Sequence, residues 1–147
     1  MINTTNIEQA KKEIKEAEKR KERLIIVKAQ NVDFNRKILE YGKFNILLSP
    51  ESIESKKSLR NIDSGMDYVM ARSAEKNKVS IGINLGVLES LDKKEKAVIL
   101  GKIKQNIKLC KKANAKIKAL NYKDKRDAVS LLLSLGASTK QAAEAFD

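Results

Sequence analysis

The sequence contains no histidine and no tryptophan, and aromatic residues make up only 4% of its 147 residues. The absence of histidine excludes general acid and base catalysis by imidazole, Ser-His and Cys-His nucleophile pairs, and histidine-containing zinc sites. Many classes of hydrolytic enzyme are therefore excluded before any motif is considered.

Cysteine, proline and long apolar runs are also scarce. The single cysteine, Cys110, has no partner for an internal disulfide, and the sequence shows no signal-peptide pattern, so a cytoplasmic protein is expected. The longest apolar runs, such as residues 24–27 and 46–48, are far too short to cross a bilayer. The length predicts one soluble domain over residues 1–147.

Positive charge is abundant and unevenly distributed. The formal net charge is +12, and residues 93–126 contribute 13 basic and 2 acidic residues, whereas residues 1–92 contribute 17 and 14. Solubility needs no such local excess, so the pattern indicates an electrostatic footprint for a phosphate backbone. The alternative is a proteome rich in lysine that places this residue on any solvated helix.

Short apolar runs alternate with amphipathic segments along the chain. The predicted strands are residues 23–29, 44–48, 78–85 and 115–120. The predicted helices are residues 6–23, a helix capped by Asp33 and ending at Gly42, a helix capped by Asp63 or Ser64 with the apolar stripe Met66, Val69, Met70 and Ala74, residues 93–113 capped by Asp92, residues 125–135, and a last helix capped by Ser138.

This alternation predicts an α/β protein with about four parallel strands joined by right-handed crossovers. A closed eight-stranded barrel needs about 200 to 250 residues, more than this chain has. The alternatives that remain are a small open sheet and a partial TIM-like (β/α) barrel.

The loop after the second strand carries the first group of candidate RNA contacts, Lys56, Lys57, Arg60 and Asn61. Loops that leave strand ends are where α/β folds place functional groups, and arginine binds phosphate through two parallel hydrogen bonds. The structural alternative is that Arg60 pairs with a nearby carboxylate, and for Asp63 helix capping is the preferred interpretation.

Two further groups lie later in the chain. In residues 93–113, Lys104, Lys108 and Lys111 fall outside the apolar stripe of Leu100, Ile103, Ile107 and Cys110, and Cys110 is expected in the core. Arg72 is a weaker candidate, since a solvated helix charge explains it as well. The cluster Tyr122, Lys123, Lys125 and Arg126 combines a stacking surface with three cations, as in proteins that bind single-stranded RNA, although Tyr122 could instead pack on the helix.

Six short motifs occur in an order that resembles protein component 3 of archaeal and eukaryotic ribonuclease P. They are LIIVKA (24–29), FNRKILE (34–40), FNILLSPE (44–51), RNIDSGMDYVMARSAEKNKVSIGINL (60–85), NIKLCKK (106–112) and DKRDAVSLLLSLG (124–136). The resemblance implies a fold similar to the polymerase-and-histidinol-phosphatase barrels without their metal-binding residues.

The resemblance also implies a noncatalytic, RNA-binding subunit of ribonuclease P, in which the RNA removes the 5′ leader of precursor tRNA. No cofactor is expected on the protein, and magnesium is expected on the partner RNA. The implied partners are ribonuclease P RNA, precursor tRNA, a small Pop-type subunit and other ribonuclease P proteins.

Family members usually begin with two further strand and helix units that this sequence lacks. The first predicted strand should then have an unpaired edge at residues 24–27, so we expect a second copy or another polypeptide to dock there, giving a homo- or hetero-oligomer.

Two other functions stay open on the residues alone. One is a free-standing basic RNA-binding or ribosome-associated protein, which shares the charge pattern. The other is a small enzyme on a truncated phosphate-binding barrel, which the missing histidines disfavour.

Overall fold

A computed structural model describes residues 1–53 and 63–147, and it contains one sheet with helices packed on it. The four strands are β1 (Ile26–Lys28), β2 (Ile46–Leu48), β3 (Ser80–Asn84) and β4 (Ile117–Leu120). The helices are α1 (Ile7–Lys19), α2 (Val32–Tyr41), α3 (Tyr68–Lys76), α4 (Lys93–Ala113), α5 (Lys125–Ser134) and α6 (Thr139–Glu144). Short 3₁₀ helices at Pro50–Ser52 and Leu85–Ser90 follow β2 and β3.

The strand order in the sheet is β1-β2-β3-β4, and every neighbouring pair is parallel. Because sequence neighbours are also spatial neighbours, right-handed crossovers place all the crossover helices on one face. Accordingly, α1 packs against α2, α2 against α3, and α3 against α4. This single winding is that of a (β/α) barrel segment, so the predicted fold class is confirmed.

The core lies between the sheet and these helices. One row in register across all four strands consists of Val27, Leu47, Ile81 and Ile117, and each of these side chains is at most 1% exposed. Such rows explain why the β-branched runs were recognisable, since a strand covered by helices needs apolar side chains on that face.

The bounds of α4 agree with the prediction. Asp92 accepts a hydrogen bond from the Glu95 N–H at 2.8 Å, and the Glu95 side chain accepts one from the Asp92 N–H at 3.3 Å. This capping box fixes the first turn. The helix ends at Asn114, which has the left-handed φ of 60°.

The predicted start of α3 is wrong. Asp67 is the N-cap, accepting from the Met70 N–H at 2.8 Å, whereas Asp63 accepts from the Gly65 N–H in a preceding turn. The helix therefore starts several residues later than a cap at Asp63 or Ser64 would give. Val69 is then 61% exposed and belongs to the outer face, and Met66 is buried ahead of the helix.

The cap of α2 differs in the same way. Asn31, not Asp33, accepts a hydrogen bond from the Phe34 N–H at 2.8 Å. Asp33 lies in the first turn and pairs with Lys37 at 3.0 Å. The predicted end of this helix at Gly42 is confirmed.

The prediction of an unpaired edge on β1 is also wrong. The Ile2 N–H donates to the Ile26 carbonyl at 2.8 Å, and the Lys28 N–H donates to the Ile2 carbonyl at 2.9 Å. The amino-terminal segment thus pairs this edge within the chain, ahead of the crossover helix α1. At the opposite edge, the Ala119 N–H of β4 donates to the carbonyl of Ala145 at 2.9 Å. The unpaired edge at β1 therefore no longer supports docking of a second chain.

Candidate nucleic-acid interface

The outer face of α4 carries a stripe of lysines. The helix contains eight lysines and one glutamate, and Lys104, Lys108 and Lys111 are exposed at spacings of four and three residues. Side chains at these spacings share a helix face. Ile103 and Ile107 are buried on the opposite side, so the predicted separation of cationic and apolar faces is confirmed. We call Lys104, Lys108 and Lys111 the α4 stripe.

The α4 stripe has no acidic partner among the described residues. Five ion pairs within 4.0 Å occur in residues 1–53 and 63–147, and none of them includes a lysine of α4. Cations that are not neutralised by neighbouring carboxylates keep their full attraction for phosphate groups and release counterions when they bind. The stripe is therefore electrostatically suited to a polyanion.

An aromatic ring borders this surface on α3. The Lys112 ammonium lies 4.9 Å from the centroid of the Tyr68 ring, a cation–π contact between α4 and α3. Arg72 is exposed one turn after Tyr68 on the same helix. Arg72 and the α4 stripe thus belong to adjacent helices that pack against each other.

The second predicted cluster lies at the carboxyl end of β4. Tyr122 meets Phe146 edge to face with ring centroids 4.8 Å apart, and 39% of Tyr122 stays exposed. Lys125 lies 5.7 Å from the centroid of the Phe146 ring. Tyr122 is thus partly packed and partly accessible, and one of its edges is already occupied by Phe146.

The cations of this cluster differ in their pairing. Lys123 pairs with Glu89 at 2.9 Å, so part of its charge is already neutralised. Arg126 is exposed in the first turn of α5. The remaining predicted contacts, Lys56, Lys57, Arg60 and Asn61, lie outside the described residues.

Residues that the sequence did not single out form a buried polar cluster beyond the carboxyl end of β2. Glu51 is 4% exposed and Lys102 of α4 is 6% exposed. The Lys102 ammonium donates to the Ile53 carbonyl at 2.9 Å. Burial raises the pKa of the Glu51 carboxyl from 4.5 to about 7, although its hydrogen bonds to its own backbone and to Ser49 and the charge of Lys102 lower it in part. The signal available in the sequence was the position of Glu51 three residues after the end of a predicted strand.

Asn106 and Asn35 extend this cluster. Asn106 Nδ2 donates to the Ser64 carbonyl at 3.0 Å, and Asn35 Oδ1 accepts from the Gln30 N–H at 2.8 Å. Both asparagines are buried. Their side-chain amides bond backbone groups of the loops that leave the strands, whereas Asn106 Oδ1 is buried with no hydrogen-bond partner among the described residues.

No metal centre is apparent in residues 1–53 and 63–147, where no three His, Cys, Asp or Glu side chains cluster to hold an ion. Cys110 is buried as predicted, and burial raises the pKa of its thiol to about 12. Such a thiol stays protonated and unreactive. In the same residues, no helix has the length and apolar character needed to span a membrane.

Comparison with known proteins identifies archaeal relatives. The chain is 31% identical over 111 residues to ribonuclease P protein component 3 of Methanococcus maripaludis strain C7, which is 76% of this chain and 44% of that protein. The protein of the same name from Methanocaldococcus jannaschii is 34% identical over 89 residues, covering 60% of this chain and 35% of that protein. The chain thus spans less than half the length of these curated relatives. No family model matches it.

A solved structure has the same fold. A chain in the cryo-EM structure of archaeal ribonuclease P with mature tRNA superposes with a TM-score of 0.79 at 26% sequence identity, covering 98% of this chain and 62% of that one. The agreement extends over nearly all of this chain, so the whole sheet and its helices have a counterpart in that structure.

Proposed function

From its homology to ribonuclease P protein component 3, we propose that this chain is a noncatalytic, RNA-binding subunit of ribonuclease P that supports RNA-catalysed removal of the 5′ leader from precursor tRNA. The archaeal relatives carry that component's name, and the solved structure of similar fold contains tRNA. The proposed partners are ribonuclease P RNA, precursor tRNA, a small Pop-type subunit and other proteins of the enzyme.

The structural observation that carries the RNA-binding part of the proposal is the α4 stripe, whose cations have no acidic partner among the described residues. A folded catalytic RNA brings phosphate groups close together, and their repulsion must be offset by magnesium or by protein cations. Lysines held at fixed spacing on a packed helix supply that charge without the cost of ordering a flexible segment.

The proposed RNA contacts within the described residues are Arg72, the α4 stripe, and the cluster after β4. The chemistry is assigned to the RNA, with magnesium on the RNA. Glu51, which has the most strongly shifted pKa among the described carboxyl groups, is only 4% exposed, so its carboxyl group is not placed to reach a substrate phosphate.

Binding to ribonuclease P RNA at several salt concentrations tests the electrostatic part. Affinity falls with salt, and each phosphate contact should add about 0.7 to 0.9 to the magnitude of the negative slope of log affinity against log salt. Replacing Lys104, Lys108 and Lys111 together with Gln should reduce that magnitude by about 2. The matched control replaces Lys12, Lys15 and Lys19 of α1, which are equally exposed but lie on a helix with as many glutamates as lysines.

Cleavage of precursor tRNA tests the assignment to ribonuclease P. Added to cognate ribonuclease P RNA and its other protein subunits, the chain should lower the magnesium concentration needed for cleavage, and the triple variant of the α4 stripe should do so less well. RNA binding without any effect on cleavage would favour a free-standing RNA-binding protein. Absence of salt-dependent RNA binding would refute both.

A further inference from the structure

A groove lies at the amino-terminal ends of β3 and β4, at the end of the sheet opposite the loops that follow the strands. Its volume is about 390 Å³, and the carboxyl ends of α3 and α4 line it together with α6. The α6 wall is fixed in place, because Gln141 Nε2 donates to the Ile107 carbonyl at 3.2 Å and the Ala145 carbonyl accepts from β4.

The groove is lined by five lysines and two glutamates that come from separate segments of the chain. Four of these lysines are exposed: Lys78, Lys111, Lys116 and Lys140. None of the four forms an ion pair within 4.0 Å in the described residues, and neither do the two glutamates, Glu75 and Glu144. The fifth lysine, Lys118, is half-buried and donates to the Glu144 and Asp147 carbonyls at 3.0 and 2.8 Å, so its role is to hold the end of α6.

Two observations point to an extended ligand. Lys111 belongs both to the groove and to the α4 stripe, so the two cationic surfaces are continuous, and the stripe alone extends about 10 Å along the helix at 1.5 Å per residue. None of the described residues that line the groove is aromatic. A ligand there meets ammonium groups and finds no ring on which a base could stack.

Lys78 lies in the turn between α3 and β3 with a left-handed φ of 58°, a conformation that Lys21 and Lys43 also have, so its contribution to the groove is its charge and not its backbone. Helix-dipole compensation is a general reason for cations at the carboxyl ends of α3 and α4, but Lys116 and Lys140 lie on neither helix.

We propose that this groove binds the phosphodiester backbone of RNA, with Lys78, Lys116 and Lys140 as contacts that continue the α4 stripe around the amino-terminal end of the sheet. The inference rests on the proposed RNA-binding function and gives it a second location. Recognition is independent of base sequence, because the groove offers charge and no stacking surface.

The test is a triple variant, Lys78→Asn with Lys116→Gln and Lys140→Gln, in the full chain. Asparagine is chosen at position 78 because it tolerates a left-handed φ. The control is again the triple α1 variant, which removes the same charge, and unfolding in urea confirms that both variants fold. Lys118 is left unchanged because it holds α6.

The groove variant should reduce the magnitude of the negative slope of log affinity against log salt by about 2, for poly(U) as well as for ribonuclease P RNA. The α1 control should leave this slope unchanged. An unchanged slope in the groove variant, while the α4 stripe variant lowers it, would overturn the groove and leave the proposed function standing. A loss confined to one RNA sequence would overturn backbone recognition. If the unmodified chain binds neither RNA, the proposed function itself fails.

Discussion

The two ends of the sheet use the same residue types in opposite ways. At the carboxyl end, the charged residues Glu51 and Lys102 are buried. The Lys102 ammonium donates to the Ile53 carbonyl, and its charge acts on the Glu51 carboxyl group. At the amino-terminal end, Lys78, Lys116 and Lys140 are exposed around a groove, and no carboxylate within the described residues pairs with them.

This difference between buried and exposed charges indicates which end of the sheet is available to a ligand. In (β/α) barrels the carboxyl end of the sheet carries the reacting groups. Here the buried polar side chains in the described part of that end bond neighbouring loops through Lys102 and the Asn106 amide, while Glu51 Oε2 and Asn106 Oδ1 have no hydrogen-bond partner there. Exposed cations without a carboxylate partner among the described residues line the outer face of α4 and the amino-terminal groove, and Lys125 and Arg126 are further such cations after β4.

The largest expected effect tests whether the carboxyl end is a packed structural unit. Gly65 has a φ of +79°, and an added Cβ would overlap the Pro50 carbonyl oxygen. We expect Gly65→Ala to destabilise the fold by about 4 kcal/mol in urea unfolding, since rigid backbone must move. Gly136→Ala is the control: its φ is +98° but nothing lies within 4 Å, so about 1 kcal/mol is expected. Equal losses would show that the 50–65 contact is not tightly packed.

The second prediction concerns Glu51 and pH. The folded protein holds this proton more tightly than the unfolded chain, because burial raises the pKa from 4.5 to about 7. Stability is therefore lost as the pH rises through this window, by about 3 kcal/mol in total, and the loss is complete above pH 7. Glu51→Gln should remove this dependence, so its stability relative to the unmodified chain should increase from pH 4.5 to 7 in urea unfolding. A constant difference would show that Glu51 is ionised in the fold.

The third prediction compares two lysines of one helix. Lys102→Met removes the buried ammonium that donates to the Ile53 carbonyl and should cost about 2 kcal/mol, because that carbonyl loses its partner. Lys104→Met, two residues away on the exposed face, should change stability by less than about 0.5 kcal/mol. Urea unfolding of both variants measures the contrast. Equal effects would mean that Lys102 is accessible to solvent in the same way as Lys104.

Sequence patterns predicted helix starts correctly where only one residue nearby was suited to cap the helix. Asp92 is followed three residues later by Glu95, and the helix begins as that pattern indicates. Near α3, by contrast, Asp63, Ser64 and Asp67 are all suitable caps within five residues. Asp67 is the N-cap, and Gly65 just before it lies against Pro50, a contact that joins segments on either side of residues 54–62. Propensity carries no information about such a contact.

Of the candidate RNA-binding surface, the sequence could predict only the part that lies along a single helix. The α4 stripe follows from helical spacing, because its members are neighbours in the sequence. Lys102 could not be distinguished from them, since its burial depends on the 50–53 segment packing against α4. The groove could not be predicted either, because Lys78 and Lys140 line the same groove only through the docking of α6 by Gln141 and by the bond between Ala119 and Ala145. The pairing of the β1 edge was not predicted because it is made by the single residue Ile2, and one residue shows no strand pattern.

The smallest expected effect concerns Lys123, the exposed lysine of the carboxyl end that has an acidic partner. Glu89→Gln would break the ion pair at 2.9 Å, and stability should change by less than about 0.5 kcal/mol because both side chains are largely solvated. If Lys123 contacts RNA, the freed ammonium should strengthen binding and increase the magnitude of the negative slope of log affinity against log salt by up to about 0.9. Lys123→Gln in the same background should cancel that gain. Unchanged binding in the Glu89 variant would remove Lys123 from the proposed RNA contacts and leave Tyr122, Lys125 and Arg126 as the candidates after β4.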